Sequence, residues 1–132
     1  MEQSVRGIHH VAIKSCGEAQ FLKSVAFYRD VFGFPVVRTW GTGDTSGAML
    51  CFGEGCMELS AAATEERGGG AIYHVAFRVT DVDALTERAR AAGYSVAMEP
   101  RDVTIPSVPP LSARIAFILG PCGEEVELFC EK

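Results

Sequence analysis

A short phrase occurs twice in this chain, and it limits the possible folds more than any other feature. Ile8-His9-His10-Val11-Ala12-Ile13-Lys14 returns past the midpoint as Ile72-Tyr73-His74-Val75-Ala76-Phe77-Arg78-Val79. Each copy reads His-Val-Ala, then an apolar residue, then a base. In a strand, successive side chains alternate between faces. His10, Ala12 and Lys14 therefore share one face, with Val11 and Ile13 behind them. In the second copy His74, Ala76 and Arg78 share a face, and Val75, Phe77 and Val79 share the other. One face packs on a core, and the other offers an imidazole, a small gap and a cation. His9 falls on the opposite face by alternation and reads as a packed or surface histidine.

The residues around each copy repeat in the same order, which marks duplicated modules joined by loops of different length. After the first copy, Ser15 to Gln20 is a polar bridge. Phe21, Leu22, Val25, Tyr28 and Phe32 then recur at helical steps, and Gly33 follows where a left-handed cap belongs. Phe34 to Trp40 reads as a strand, and Pro35 near its start points to an edge. Gly41-Thr42-Gly43-Asp44 is a turn. Ala48–Gly53 and Cys56–Ala61 are two more strands, hinged at Gly53-Glu54-Gly55. In the second half, Thr80 to Asp83 has the form of a capping box. Val82, Leu85, Ala89 and Ala92 line a helix face that ends at Gly93. Ala113–Leu119 and Glu125–Cys130 supply the last strands, hinged at Gly120-Pro121-Cys122-Gly123. Glu99 to Ser112 holds four of the six prolines and reads as a stiffened lid or binding loop.

The fold class expected is α+β, with paired βαβββ modules forming curled mixed sheets. One domain spans 1–132: module 1 about 5–63, a linker about 64–70 and module 2 about 71–131. A net charge of −5 argues against nucleic acid as a partner, because phosphate binding needs a basic surface. No apolar run approaches the roughly 20 residues of a membrane helix, and no signal-peptide core opens the chain, so a cytoplasmic location is expected. Five cysteines, an odd number without a Cys-x-x-Cys pair, point to reduced thiols rather than a disulfide framework or a zinc knuckle.

The last strand of each module holds an acid within an apolar run: Cys56-Met57-Glu58-Leu59-Ser60 and Glu125-Val126-Glu127-Leu128-Phe129. Alternation sends Met57, Leu59, Val126 and Leu128 to the core and turns Glu58 and Glu127 the other way. Each module thus offers one histidine from its first strand and one glutamate from its last. Together, His10, Glu58, His74 and Glu127 suit a divalent metal: nickel, cobalt, zinc, iron or manganese. Lys14 and Arg78, on the histidine faces, are candidates for holding an anionic substrate.

These residues, with Ala26-Phe27-Tyr28-Arg29-Asp30-Val31-Phe32-Gly33-Phe34 and Gly120-Pro121-Cys122-Gly123-Glu124-Glu125-Val126-Glu127-Leu128-Phe129, resemble the vicinal oxygen chelate superfamily. That superfamily includes glyoxalase I, methylmalonyl-CoA epimerase, extradiol dioxygenases, and fosfomycin- and bleomycin-resistance proteins. The resemblance covers nearly the whole chain and implies modules wrapped around a metal, commonly completed as a homodimer. Its four ligand positions fall on His10, Glu58, His74 and Glu127, the set most similar to glyoxalase I. It implies a lyase or isomerase acting on a small carbonyl substrate, free or as a thiol adduct, through an enediolate, with Glu127 or Glu58 moving the proton. Where bacterial glyoxalase I carries a glutathione-binding asparagine, Ala62 stands, and Lys14 replaces an expected arginine. The resemblance equally admits a small-molecule binding or antibiotic-resistance protein, or a thiol transferase needing only His10, His74 and Glu127.

Overall fold

The computed structural model describes Ser4, residues 7–65 and residues 74–132. The chain divides into two compact units, Met1–Glu66 and Arg67–Lys132. Apart from Thr64 and Glu65, the expected linker lies outside the described residues, as do Ile72 and Tyr73 of the second histidine strand.

The first unit runs β1 (His10–Lys14), α1 (Gly17–Ala26), β2 (Val36–Trp40), β3 (Gly47–Phe52) and β4 (Gly55–Ser60). The second runs β5 (Val75–Arg78), α2 (Val82–Ala91), β6 (Val96–Ile105), β7 (Leu111–Leu119) and β8 (Glu125–Glu131). Each forms a four-stranded mixed sheet, in the orders β1-β4-β3-β2 and β5-β8-β7-β6. The first strand of each unit lies parallel to the last, and the remaining pairs are antiparallel. This is the α+β arrangement expected, with βαβββ order in both halves.

The helices supply the apolar cover. α1 begins at Gly17, inside the stretch expected to be a bridge, and passes into a π-helical turn at Phe27–Val31. The wider turn lets adjacent residues Phe27 and Tyr28 both face inward, where each is almost fully buried. Phe27, Tyr28, Phe32, Phe34 and Phe52 form a continuous ring cluster with centroid separations of 4.7 to 6.3 Å. Leu22, expected on that face, is instead exposed. Gly33 has a φ of +74° and ends the helical segment as its position predicted. Leu50, Met57 and Leu59 fill the sheet side of this core. Gly47 is required by close approach: the Trp40 ring lies across it, 2.0 Å from where a Cβ would sit.

In the second unit the helix cap falls one residue later than expected. Asp81, not Thr80, is the N-cap, and its carboxylate accepts from the Ala84 N–H at 3.0 Å. Asp83 is thereby free of capping and pairs with Arg114 on β7. Thr86 takes a core place that apolar spacing had given to its neighbours. It manages this by donating its hydroxyl to the Val82 carbonyl at 2.8 Å, while Ala92 is exposed.

Two expectations are corrected. The proline-rich stretch Glu99–Ser112 is largely strand: β6 runs to Ile105, β7 starts at Leu111, and the connection shortens to 106–110. Pro100 is tolerated because β6 is an end strand and its register shifts between Met98 and Arg101, around the proline. The thiols are not all reduced. Cys51 and Cys56 are joined in a disulfide, leaving Cys16, Cys122 and Cys130 free. Strand register explains the bond, since the two residues lie opposite each other on β3 and β4 with Cα atoms 4.0 Å apart. Their N–H groups turn outward to Pro35 and His9 carbonyls, so this is the close, non-hydrogen-bonded kind of antiparallel pair. Among the described residues, no helix is long and apolar enough to cross a membrane.

Arg114 ties α2, β6 and the C-terminus together. It donates through two nitrogens to Asp83, at 2.6 and 2.8 Å, and through a third to Asp102 at 3.1 Å. Lys132 reaches Asp102 at 2.8 Å. Hydrogen bonding from Arg114 holds Asp83 below its ordinary value of 3.8, and Lys132 followed by Arg114 does the same for Asp102. Carboxylates depressed in the folded state stabilise it above their unfolded value and lose that contribution as acid protonates them. Arg114→Met should therefore melt below wild type at neutral pH. The gap should narrow as pH falls through 3.8 and below, as read by thermal melts across a pH series.

Candidate functional site

The pairing of first with last strand decides which side chains meet. In the first unit, His10 registers with Cys56 and Ala12 with Glu58. On β4, Met57 and Leu59 are fully buried while Cys56, Glu58 and Ser60 are half-buried, so the acid lies on the face away from the core. Ala12, lacking a long side chain beside Glu58, leaves the diagonal from His10 open. His10 Nε2 and Glu58 Oε2 lie 3.1 Å apart across it.

The second unit builds the same pair from the same topology. Ala76 registers with Glu127, and His74 Nε2 lies 3.2 Å from Glu127 Oε1. Val126 and Leu128 on either side of Glu127 are fully buried, anchoring the strand from behind. Phe117, opposite Glu127 on β7, presents its ring edge-on to His74 with centroids 5.4 Å apart. The corresponding place in the first unit, opposite Glu58, belongs to Met49.

The two pairs differ in exposure. Side-chain exposure is 40% for His10 and 33% for Glu58, against 33% for His74 and 11% for Glu127. Burial raises Glu127 above the ordinary carboxylate value, and the nearby His74 only partly opposes this.

His9 does more than its expected place on the opposite face implied. It precedes β1, where strand alternation no longer applies, and its Nδ1 lies 3.0 Å from the Nδ1 of His10. One ring must donate and the other accept. Where His10 Nε2–H donates to Glu58 and His10 Nδ1 carries no hydrogen, that Nδ1 accepts from His9. If His10 Nε2 instead presented its lone pair to an ion, the roles would reverse, and His10 would donate to His9. The adjacent identical residues hid this contact, because alternation sends neighbours to opposite faces only inside a strand.

Lys14 and Arg78 are exposed, each on the strand that carries or follows its module's histidine and on the same face as that histidine. Glu124 is half-buried and accepts from the Cys122 N–H at 2.8 Å, closing the β7–β8 turn. Among the described residues, no group of three or more His, Cys, Asp or Glu side chains is gathered where one ion could bind. The chemistry and spacing of each His–Glu pair nonetheless fit two ligands of one ion. Donors about 2.1 Å from an octahedral ion and at right angles are about 3.0 Å apart.

A sequence profile described as the glyoxalase/bleomycin resistance protein/dioxygenase superfamily matches residues 7–128. No curated protein matches the chain. Among solved structures, a mutant glyoxalase I from Zea mays is 23% identical with a TM-score of 0.70. That match covers 91% of this chain and 43% of the maize protein, so the chain spans less than half of it. A lactoylglutathione lyase from Agrobacterium tumefaciens is 21% identical, with 97% and 96% of the two chains covered and a TM-score of 0.69. An antibiotic binding protein from a Streptomyces species is 17% identical, with 99% and 100% covered and a TM-score of 0.74. At these identities the three share this chain's fold.

The raised Glu127 carboxyl has a direct consequence for stability. A carboxyl raised in the folded state favours folding below its unfolded value of 4.5, and that advantage is lost as pH rises through the folded value. Metal-free wild type should therefore lose melting temperature relative to Glu127→Gln as pH climbs from below 4.5 to neutrality. Paired thermal melts in chelator would register this. An unchanged difference across that range would contradict the burial effect.

Proposed function

The chain belongs to the glyoxalase/bleomycin resistance protein/dioxygenase superfamily, and on that premise we propose that it is a metal-dependent lyase or isomerase of a small carbonyl substrate, similar to lactoylglutathione lyase. The observation that carries the reading is the recurrence of one His–Glu pair in each unit, at 3.1 and 3.2 Å, with ligand-like spacing. His10, Glu58, His74 and Glu127 are the proposed ligands of a divalent ion. A bound ion of this class would polarise substrate oxygens and stabilise negative charge developing on them.

The remaining roles belong to the chain's own side chains. Glu127 and Glu58 are the candidate bases for moving a proton between carbons next to the carbonyl. Glu127 is the stronger candidate, since its burial increases its proton affinity toward the range where a base both takes and returns a proton. Lys14 and Arg78 would attract an anionic substrate group to the histidine faces. His9 would orient His10 by hydrogen bonding at Nδ1 and fixing its tautomer. The same reading treats the two modules as one domain, with a second copy covering exposed sheet edges in a homodimer.

Purified protein should hold one divalent ion per chain by elemental analysis, and losing either pair should remove it. His9→Ala should weaken metal affinity by about 10–100-fold, in line with losing a partner that orients a ligand. Isothermal titration would measure this, and unchanged affinity would strip His9 of its positioning role. Glu58→Gln separates the lyase from a three-ligand transferase. It should abolish turnover of hemithioacetals, whereas a transferase using His10, His74 and Glu127 would keep most of its activity. Hemithioacetal turnover by protein stripped of divalent ions would overturn the proposal.

A further inference from the structure

Trp40 is the single tryptophan of the chain, and 39% of its surface is exposed. It is the register partner of Gly47, Gly47 of Ser60, and Ser60 of Lys14, so these residues form one row across the first sheet. The next row on that face is Arg38, Met49, Glu58 and Ala12. Trp40 therefore shares the face of Glu58, while Leu50, Met57 and Leu59 are buried on the other. Its indole stands where a side chain at 47 would be. Cε2, Nε1 and Cζ2 lie 2.0, 2.2 and 2.3 Å from the position of a Gly47 Cβ, and Gly47 itself is buried.

This arrangement departs from the repeat. The corresponding row of the second unit is Arg101, Ile115, Phe129 and Arg78, with a cation on the end strand and a branched side chain beside it. The first unit changes both at once, placing a ring on the end strand and only a hydrogen beneath it. An aromatic side chain across from a strand glycine restores packing there, but that role needs no cations nearby. Two are present. Arg38 precedes Trp40 by two residues on β2, about 7 Å along the strand, and Lys14 lies two strand spacings from Gly47, about 10 Å. Both are exposed, and neither makes an ion pair among the described residues. Glu58, the acid in the adjacent row, is paired with His10 instead.

We propose that Trp40 on its glycine seat, together with Arg38 and Lys14, forms a subsite within the first unit for a planar aromatic carboxylate. A flat ring stacks in offset fashion on the exposed indole. Its carboxylate then accepts charge-assisted hydrogen bonds from the guanidinium or the ammonium. An aromatic acid satisfies both parts of the patch. A neutral ring leaves the cations to water, and an aliphatic acid gives up the stack. Taking the ligand as the substrate of the neighbouring His–Glu site rests on the proposed function, and there it names the part remote from the reacting carbonyl. Binding at Trp40 itself requires no ion.

The probe is 4-nitrobenzoate, added to the full chain in chelator. Nitroaromatics quench indole on contact, and a single tryptophan makes the fluorescence report on this place alone. Quenching should saturate, with the dissociation constant that titration calorimetry gives. By calorimetry, Trp40→Leu should bind about tenfold more weakly, whereas Trp40→Phe, which keeps a ring over Gly47, should retain most of the affinity. Arg38→Met with Lys14→Met should cost about fivefold for 4-nitrobenzoate and nothing for its neutral counterpart, 4-nitrobenzyl alcohol. Cyclohexanecarboxylate should bind about tenfold more weakly than the aromatic acid. Thermal melts identify any variant that fails to fold, and the ligand comparison on wild type stands without variants. Quenching that never saturates, or equal affinity for the aromatic and aliphatic acids, would overturn the inference. So would a Trp40→Leu protein that binds normally but no longer dimerises in sedimentation, since the patch would then be an interface between copies. Binding without hemithioacetal turnover by metal-loaded protein would sink the lyase reading and leave the subsite standing, and the reverse pair of results would remove the subsite alone.

Discussion

Parallel pairing between the first and last strand of each unit is the constraint from which the site geometry follows. A βαβββ segment could close its sheet in other orders, but here each unit's last strand returns to lie beside that unit's first. Residues far apart in sequence become lateral neighbours, and the two-residue period of the strands sends one histidine and one glutamate to the same surface. The alanine between them in register, Ala12 or Ala76, keeps the diagonal clear. Apolar residues flanking each glutamate hold the strand against the helix-covered core, so the acid's direction is fixed by burial on the other side. About 2–5 kcal/mol rides on each such buried leucine or methionine, far more than a half-exposed His–Glu contact contributes by itself. The core thus positions the polar pairs, which in turn contribute little to holding the fold.

Duplication has produced two pairs of equal span in unequal surroundings. Glu127 is packed beneath an aromatic neighbour and a deeply buried strand, whereas Glu58 is more open and lies next to sulfur. A carboxylate kept from water resists ionisation, while a solvated one does not. Burial accordingly raises Glu127, with His74 partly opposing it.

Much of this was legible in the chain because strand alternation and the repeat reinforce each other. The repeat and the strand period together singled out His10, Glu58, His74 and Glu127, and each histidine lies beside the glutamate of its own unit. The misses have physical reasons. Asp81 caps α2 because it is the residue whose carboxylate reaches the Ala84 N–H, although Thr80 with Asp83 has the right spacing for a cap. Pro100 made β6 look like a loop, since proline spoils a ladder only where its N–H would be needed, and an end strand with a bulge does not need it. The cysteine spacing pointed away from a disulfide because the decisive fact was hairpin register, which no count of intervening residues provides. The His9–His10 contact was not foreseen because β1 begins at His10, two residues after the motif does, so alternation does not govern His9.

The irregular path of β6 also affects how the molecule meets other chains. An unbroken outer strand offers a ladder of donors and acceptors on which a foreign segment can extend the sheet. In β6 that ladder is shifted twice, between Val96 and Met98 and again between Met98 and Arg101, and at Pro100 a donor is absent altogether. An incoming strand would find each short run of bonds ending before the next came into phase. The second sheet is thus guarded against uncontrolled growth at this border by its own backbone.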